Sequence, residues 1–410
     1  MNRNLLLINV QKFHKPLLYK SKNKIPWRYF INMICIYEPL CEGKGHELVN
    51  AGIIELLNII RPYEKLIFYG EKFHLENNEH LLSEKRINIE NREIILPLQD
   101  DLCSCIDNLR ILSNILLENI KEKNLIIFIT VSNIGVCFAV NILSRVFKNV
   151  KFIIGMHGIM EHFTKSVLSK QAKLFKKVLE LSAYRQNVTY LIYSKLYKKY
   201  LKNIFSIRLI NKIKFIHMPY LYTGDFKKKN KDKLVLAAIG SAGNKKMYEL
   251  IKYINMNYCK NNYEFNIFNW GLKIPFSRLR NTNLYLNSDR DKINEVMHSV
   301  DCIIIPYDKN QYKISTSGII FDAISYEVPI FTLDSNCCIE YSKYGIGENF
   351  STVEEMALRL IEIMNLDYHK LINKYSNRAK KLKYTLKKID LQILSGIVEE
   401  SNIGGVYEKI

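Results

Sequence analysis

The chain predicts two α/β domains, each a parallel sheet with crossover helices. Three observations point there. Short apolar runs alternate with helical apolar stripes through residues 28–217, the order that builds parallel sheets. The alternation breaks at a lysine-rich stretch and restarts at Leu234. The 410 residues suffice for two domains of about 150–200 residues each.

The elements follow in order. Residues 28–37 (RYFINMICIY) read as a strand, 38–45 as a loop, and 46–60 as a helix whose stripe is Leu48, Ile53, Leu56 and Leu57. Strands follow at 65–69 and 94–98, then an amphipathic helix at 107–121. Residues 125–131 form a strongly apolar strand, 134–147 a helix, and 151–156 a strand ending at His157-Gly158. Short strands at 190–193 and 214–217 complete the first half. Residues 219–233 hold a proline, a glycine and the run KKKNKDK, and read as a linker. After it come strand 234–239, helix 246–257, strand 264–268, a short strand at 284–286 and helix 292–299. A strand–loop–helix–strand unit spans 301–331. Helix 352–363 has Ser351 or Thr352 as N-cap ahead of Glu354-Glu355. A basic helical tail runs from 368.

Composition narrows the function. There are 60 basic against 40 acidic residues, a net charge of +20. That balance suits anionic partners, and equally a lysine- and asparagine-rich composition throughout. No nucleic-acid-binding motif accompanies it, so nucleic acid is not expected as a partner. The nine cysteines have no framework and no zinc spacing. Residues 125–143 are interrupted by Thr130, Ser132, Asn133, Gly135 and Asn141, which argues against a membrane span. The N-terminal apolar run is too short for a signal peptide.

Four stretches carry binding chemistry. In 301–331 an apolar run ends in a Pro306-Tyr307 turn. A polar loop then closes on Ser315-Thr316-Ser317-Gly318, and an apolar helix follows, interrupted by Asp322. A helix start after a small-residue loop makes an anion site, while hydroxyls there equally cap helices. A carboxylate inside an apolar run needs a partner, such as a ribose or sugar hydroxyl. Second, Gly240-Ser241-Ala242-Gly243 follows an apolar strand and leads to Lys245 and Lys246. Its small residues let backbone N–H groups approach a phosphate, although the P-loop spacing is absent. Third, Gly43 and Gly45 flank Lys44 ahead of His46 after the first strand, allowing a tight turn. Fourth, His157 ends a strand, where an imidazole can bond a sugar hydroxyl or accept a proton near pH 7. No HExxH pattern is present, and no metal is expected.

The 301–331 stretch resembles the donor-binding segment of GT-B glycosyltransferases, especially the large retaining family 4 and its family 1-like relatives. Asp301, Pro306, Ser317-Gly318, Asp322-Ala323 and Pro329 stand at the matching positions. The family's helical glutamate is Asp322 here, its partner glutamate falls on Ile314, and Val328 replaces the small residue before Pro329. The 240–246 loop is similar to the family loop whose Arg and Lys grip the donor diphosphate. Lys246 falls on the Lys position and Ser241 on the Arg position. The 43–46 loop resembles the glycine loop that shapes the cleft in the first domain, and family members often place a histidine at the position of His157.

The resemblance implies an α/β fold of two Rossmann-like domains facing a cleft, the GT-B arrangement. The expected bounds are an extension at 1–27, an acceptor domain at 28–220, a linker at 221–233, a donor domain at 234–366 and a tail at 367–410 crossing back to the first domain. It implies transfer of a sugar from a nucleotide-diphosphate sugar to a glycan or lipid-linked glycan acceptor. The setting would be cell-surface polysaccharide or lipopolysaccharide assembly, without metal or cofactor, and with retained anomeric configuration if family 4 is the relative. Such an enzyme is expected in the cytoplasm, with peripheral contact to anionic membrane at the inner face. His157 and Asp322 are the expected catalytic residues. The expected substrate contacts are Gly43, Gly45, His46, Gly240, Ser241, Lys245, Lys246, Tyr307, Ser315, Thr316, Ser317 and Gly318. Two other readings stay open: a GT-B-like sugar-nucleotide epimerase or inactive scaffold, and a basic protein that binds polyanions or membranes.

Overall fold

The computed structural model describes residues 33–97, 101–122, 124–165, 167–222, 232–240, 243–269, 274–287 and 290–399. The extension at 1–27, the start of the first strand, Ser241, linker residues 223–231 and residues 400–410 lie outside them.

Seven strands form the first sheet: β1 (Met33–Tyr37), β2 (Lys65–Gly70), β3 (Glu90–Glu93), β4 (Leu125–Ile129), β5 (Lys151–Gly155), β6 (Val188–Ile192) and β7 (Ile213–Phe215). Every pairing is parallel, in the order β3-β2-β1-β4-β5-β6-β7. The connecting helices are α1 (Glu47–Ile60), α2 (Lys72–Ser83), α3 (Asp101–Glu118), α4 (Ile134–Val146), α5 (Lys170–Ser182), α6 (Tyr197–Leu201) and α7 (Ile207–Lys212). Strands β1 and β4 are buried along their whole length. Helices cover both faces of such a sheet, which is why these strands read as unbroken apolar runs.

The second sheet holds β8 (Leu234–Ile239), β9 (Tyr263–Asn269), β10 (Thr282–Leu286), β11 (Cys302–Ile305), β12 (Ile330–Leu333) and β13 (Gly347–Phe350). It is also parallel, in the order β10-β9-β8-β11-β12-β13. Its helices are α8 (Asn244–Asn257), α9 (Arg290–Met297), α10 (Gly318–Ser325), α11 (Asn336–Ser342) and α12 (Val353–Asn365), and α13 (His369–Glu399) follows. Thr352 caps α12, its Oγ1 accepting from Glu355 N at 3.1 Å while Glu355 accepts from Ser351 N at 3.0 Å.

Strand order reverses between β1 and β4 and between β8 and β11. Ligands of open α/β sheets sit beyond the strand ends at such switch points. The loops leaving β1, β8 and β11 are 38–46, 240–243 and 306–317, three of the stretches singled out above.

The third strand is not 94–98 but β3, the charged segment Glu-Asn-Arg-Glu. It is an edge strand, where Glu90 pairs with Lys65 and Arg92 in place of apolar packing. Ile95 is exposed. The start of the expected linker is not solvated either: Tyr220 and Leu221 are buried, and Leu221 N donates to Leu48 O at 2.8 Å. Gly52 allows this approach, since a Cβ there would lie 2.6 Å from the Tyr220 backbone.

One buried cluster crosses both halves, from Ile34 and Leu57 to Ile303, Ile320 and Ile397. Helix α13 packs on both α10 and α1. Lys383 Nζ lies 3.4 Å from Ser325 O, Lys387 pairs with Glu55 at 2.8 Å, and Asp390 accepts from His217 N at 2.9 Å.

Candidate functional site

The loop after β1 is organised by Glu38, which is fully buried. Its Oε1 accepts from Leu40 N (2.9 Å) and Cys41 N (3.1 Å), and its Oε2 from Asn50 Nδ2 (2.8 Å) and Thr130 Oγ1 (2.5 Å). Four donors meet the cost of burying the carboxylate. They hold the loop that turns at Gly43 (φ 51°) and enters α1 at His46 (φ 56°). Gly43 N donates to Glu71 Oε2 at 3.1 Å.

In the second half Gly240 follows β8, and Gly243 (φ 80°) is the N-cap residue of α8. A Cβ on Gly243 would lie 2.6 Å from Pro306 O. The two switch-point loops therefore pack directly on each other. Ser317 stands at the N-cap of α10, but its side chain makes no cap bond. Its hydroxyl meets Tyr307 OH at 2.7 Å instead. Thr316 Oγ1 is buried without a hydrogen-bond partner.

These loops meet on a cleft of about 680 Å³ lined from both halves. Lys44, Gly45, His46 and Glu47 come from the first half, and Gly240, Arg290, Tyr307, Ser317, Gly318 and Asp322 from the second, with Tyr220 from the crossing segment. At its floor Asp322 Oδ1 accepts from Arg290 Nη1 at 2.7 Å and from Tyr220 OH at 2.5 Å. Arg290 Nε also ion-pairs with Glu47 Oε1 at 3.6 Å, beyond hydrogen-bond reach. Both Arg290 Nε and Glu47 Oε2 are buried without a hydrogen-bond partner. Burial pushes the Glu47 carboxyl up, with Arg290 opposing. The partner expected for Asp322 was a ligand hydroxyl; in the structure the protein itself supplies two.

Gly45, His46, Gly240, Tyr307, Ser317, Gly318 and Asp322 thus come together. Lys245 and Lys246 line a neighbouring groove with Gly243 and Asp308, where Lys246 Nζ pairs with Asp308 at 2.5 Å. Ser315 and Thr316 are buried beside the cleft, and Gly43 sits back in its loop. His157 packs edge-on to His46, ring centroids 5.0 Å apart. Its Nδ1 is enclosed without a partner, and burial pushes the imidazole down to about 3. A ring that is neutral and weakly basic at pH 7 can hydrogen-bond, but the expected proton acceptor near pH 7 is not what this pocket makes.

Sequence reasoning missed Glu47, Arg290 and Tyr220. Tyr220 left a trace, the apolar run PYLY inside a supposed linker. Arg290, in the charged run DRD, left none. Asp301, matched to the donor segment, pins two strands together: its Oδ2 accepts from Val235 N at 2.8 Å. Among the described residues no cluster of three or more His, Cys, Asp or Glu converges as a metal site. No described helix is long and apolar enough to cross a membrane.

No family model and no curated protein matches the sequence. Solved structures do match the fold. HepE from Anabaena, solved with UDP and glucose, gives a TM-score of 0.62 at 12% identity, over 90% of this chain and 99% of its own. The lipopolysaccharide outer core galactosyltransferase WaaB gives 0.56 at 12% identity, over 88% and 99%. The UDP-GlcNAc 2-epimerase of Neisseria meningitidis, bound to UDP-GlcNAc, gives 0.53 at 13% identity, over 90% and 99%. At these identities the likeness is one of fold. Two parallel α/β halves whose strand ends share one cleft, together with these neighbours, establish that the chain has the GT-B fold.

Proposed function

We propose that the cleft binds a nucleotide-diphosphate sugar and that the protein transfers the sugar to an acceptor hydroxyl of a glycan or lipid-linked glycan, in cell-surface polysaccharide or lipopolysaccharide assembly. The observation that carries this is the cleft floor. There Arg290 is ion-paired with Asp322 at 2.7 Å and with Glu47 at 3.6 Å, while Glu47 Oε2 has no hydrogen-bond partner. A guanidinium and carboxylates fixed side by side in a cleft offer donors and acceptors together, which a sugar or ribose hydroxyl, donor and acceptor at once, matches.

The charge arrangement supports the same reading. As the glycosidic bond breaks, the diphosphate gains negative charge. The N-terminus of α10 at Gly318 opens on the cleft with its N–H groups and positive dipole end. Arg290 stands beside it, with Lys246 in the adjoining groove. Fixed donors aimed at developing charge stabilise it without reorganising. The acceptor would approach past Gly45 and His46, with the neutral His157 behind. Family-4 kinship would make the enzyme retaining.

A sugar-nucleotide epimerase is the second reading. It is favoured by the neisserial neighbour and by Ile314, buried where the transferase family carries a carboxylate. Incubating labelled nucleotide sugars with and without saccharide acceptors separates the two. A transferase consumes donor and labels the acceptor. Conversion of the sugar with no acceptor present supports the epimerase, and no turnover of any donor overturns both.

A further inference from the structure

Away from the cleft, α5 and the start of α7 build a second surface. The inner face of α5 buries Ala172, Phe175, Val178 and Leu179. Its outer stripe reads Lys170, Leu174, Lys177, Leu181 at helical spacing. Leu174 is 50% exposed and Leu181 51%, and they continue into Tyr184 (67%) and Ile207 (74%). Single exposed apolar residues need no explanation, but three around one groove do. Leu181, Tyr184 and Ile207 line a shallow, mostly apolar groove of about 950 Å³ with Lys173, Lys176, Lys177 and Arg208, and Leu174 lies outside it, two turns before Leu181 on the outer stripe. The Arg208 guanidinium lies over the Tyr184 ring, 4.2 Å from its centroid.

The one acid lining this groove is withdrawn from it. Glu180 Oε1 accepts from Ser206 N at 2.7 Å and Oε2 from Ser206 Oγ at 2.5 Å, at the start of α7. The surface therefore presents apolar side chains interleaved with uncompensated cations. A soluble polyanion would use the cations and leave the leucines in water. A bilayer with anionic headgroups uses both, because the apolar tips enter the headgroup–acyl boundary while lysine stems reach the phosphates.

We propose that the α5–α7 face docks the protein on anionic lipid bilayers. This holds whether or not the cleft is a transferase site, so the test is separate from any activity assay. The full-length protein would be sedimented with vesicles of equal parts phosphatidylglycerol and phosphatidylcholine, and with vesicles of phosphatidylcholine alone. Binding is expected to the first only. Two variants probe the surface, Lys173→Glu/Lys177→Glu and Leu174→Ser/Leu181→Ser/Ile207→Ser. All five positions are exposed or solvent-facing, and circular dichroism melting checks that the fold is kept. The charge variant is expected to bind roughly tenfold or more weakly. The apolar variant is expected to lose the binding that survives high salt. No binding to anionic vesicles overturns the proposal. So does wild-type binding by both variants, or wild-type affinity of the apolar variant at every salt concentration, which would indicate polyanion adsorption alone.

Discussion

Glu161 and Ser315 bind each other across the two halves of the molecule. Glu161 lies in the 3-10 turn after β5, and its Oε1 accepts from Ser315 Oγ at 2.7 Å and Ser315 N at 2.8 Å. Ile314 N donates to the same oxygen at 2.8 Å. One carboxylate from the first half thus holds the loop that leads into α10, where the sequence pattern of the transferase family would have its own glutamate at 314.

Replacing Glu161 with Ala is expected to release that loop. Hydrogen bonds to charged groups contribute more than neutral ones, so the cost should be about 2 kcal/mol. Denaturant unfolding would measure it. Faster amide exchange at 314–318, with the rest of the second sheet unchanged, would locate it.

Asp322→Ala takes the closer of its two carboxylate partners from the Arg290 guanidinium, leaving Glu47 at 3.6 Å, and removes the acceptor of Tyr220. Breaking a buried pair from one side is costly, and about 3 kcal/mol is expected. The double variant Arg290→Met/Asp322→Leu should recover much of the stability. Nucleotide-sugar binding should be lost in both. Melting curves set beside binding isotherms would separate the structural role from the ligand role.

His157 makes a pH prediction. Its folded-state value is pushed down to about 3 from the ordinary 6.5 by burial and then by His46. The unfolded chain therefore binds the extra proton first. Stability from the neutral ring is fully present above pH 6.5 and is lost as pH falls toward 3. Between pH 7.5 and 5 the wild type should lose about 1–2 kcal/mol more than His157→Gln. Parallel acid titrations of the two proteins check the difference.

Gly243→Ala should destabilise the loop pair at the second switch point. The position has φ 80°, and the new methyl would meet Pro306 O at 2.6 Å. A cost of about 2 kcal/mol follows. Gly396→Ala, inside α13 with nothing within 4 Å, serves as the control and should be stabilising by up to about 1 kcal/mol, read by thermal melting.

The βα alternation was legible because strands covered on both faces read as apolar runs, as in β4 and β11. Strand β3 was not, because its stability comes from Glu90 with Lys65 and Arg92 rather than from apolar residues. Helix α2 was hidden by a buried face that includes His74 and Asn78. At the site, Gly45, Gly240, Ser317 and Gly318 were legible because turn chemistry is local. The partners of Asp322 were not. Tyr220 lies 102 residues away in sequence, and Glu161 lies 154 residues from Ser315. No local pattern encodes which distant side chains a fold will bring together.

If the cleft is a nucleotide-diphosphate site, calorimetric titration of the chain with a panel of nucleoside diphosphates will show it. One base should bind, and Lys246→Ala and Asp322→Asn should each weaken that binding roughly tenfold or more, an energy of about 1.4 kcal/mol. Absence of heat for every diphosphate at about millimolar concentration, with the protein folded, would mean that the cleft is not a nucleotide-diphosphate site.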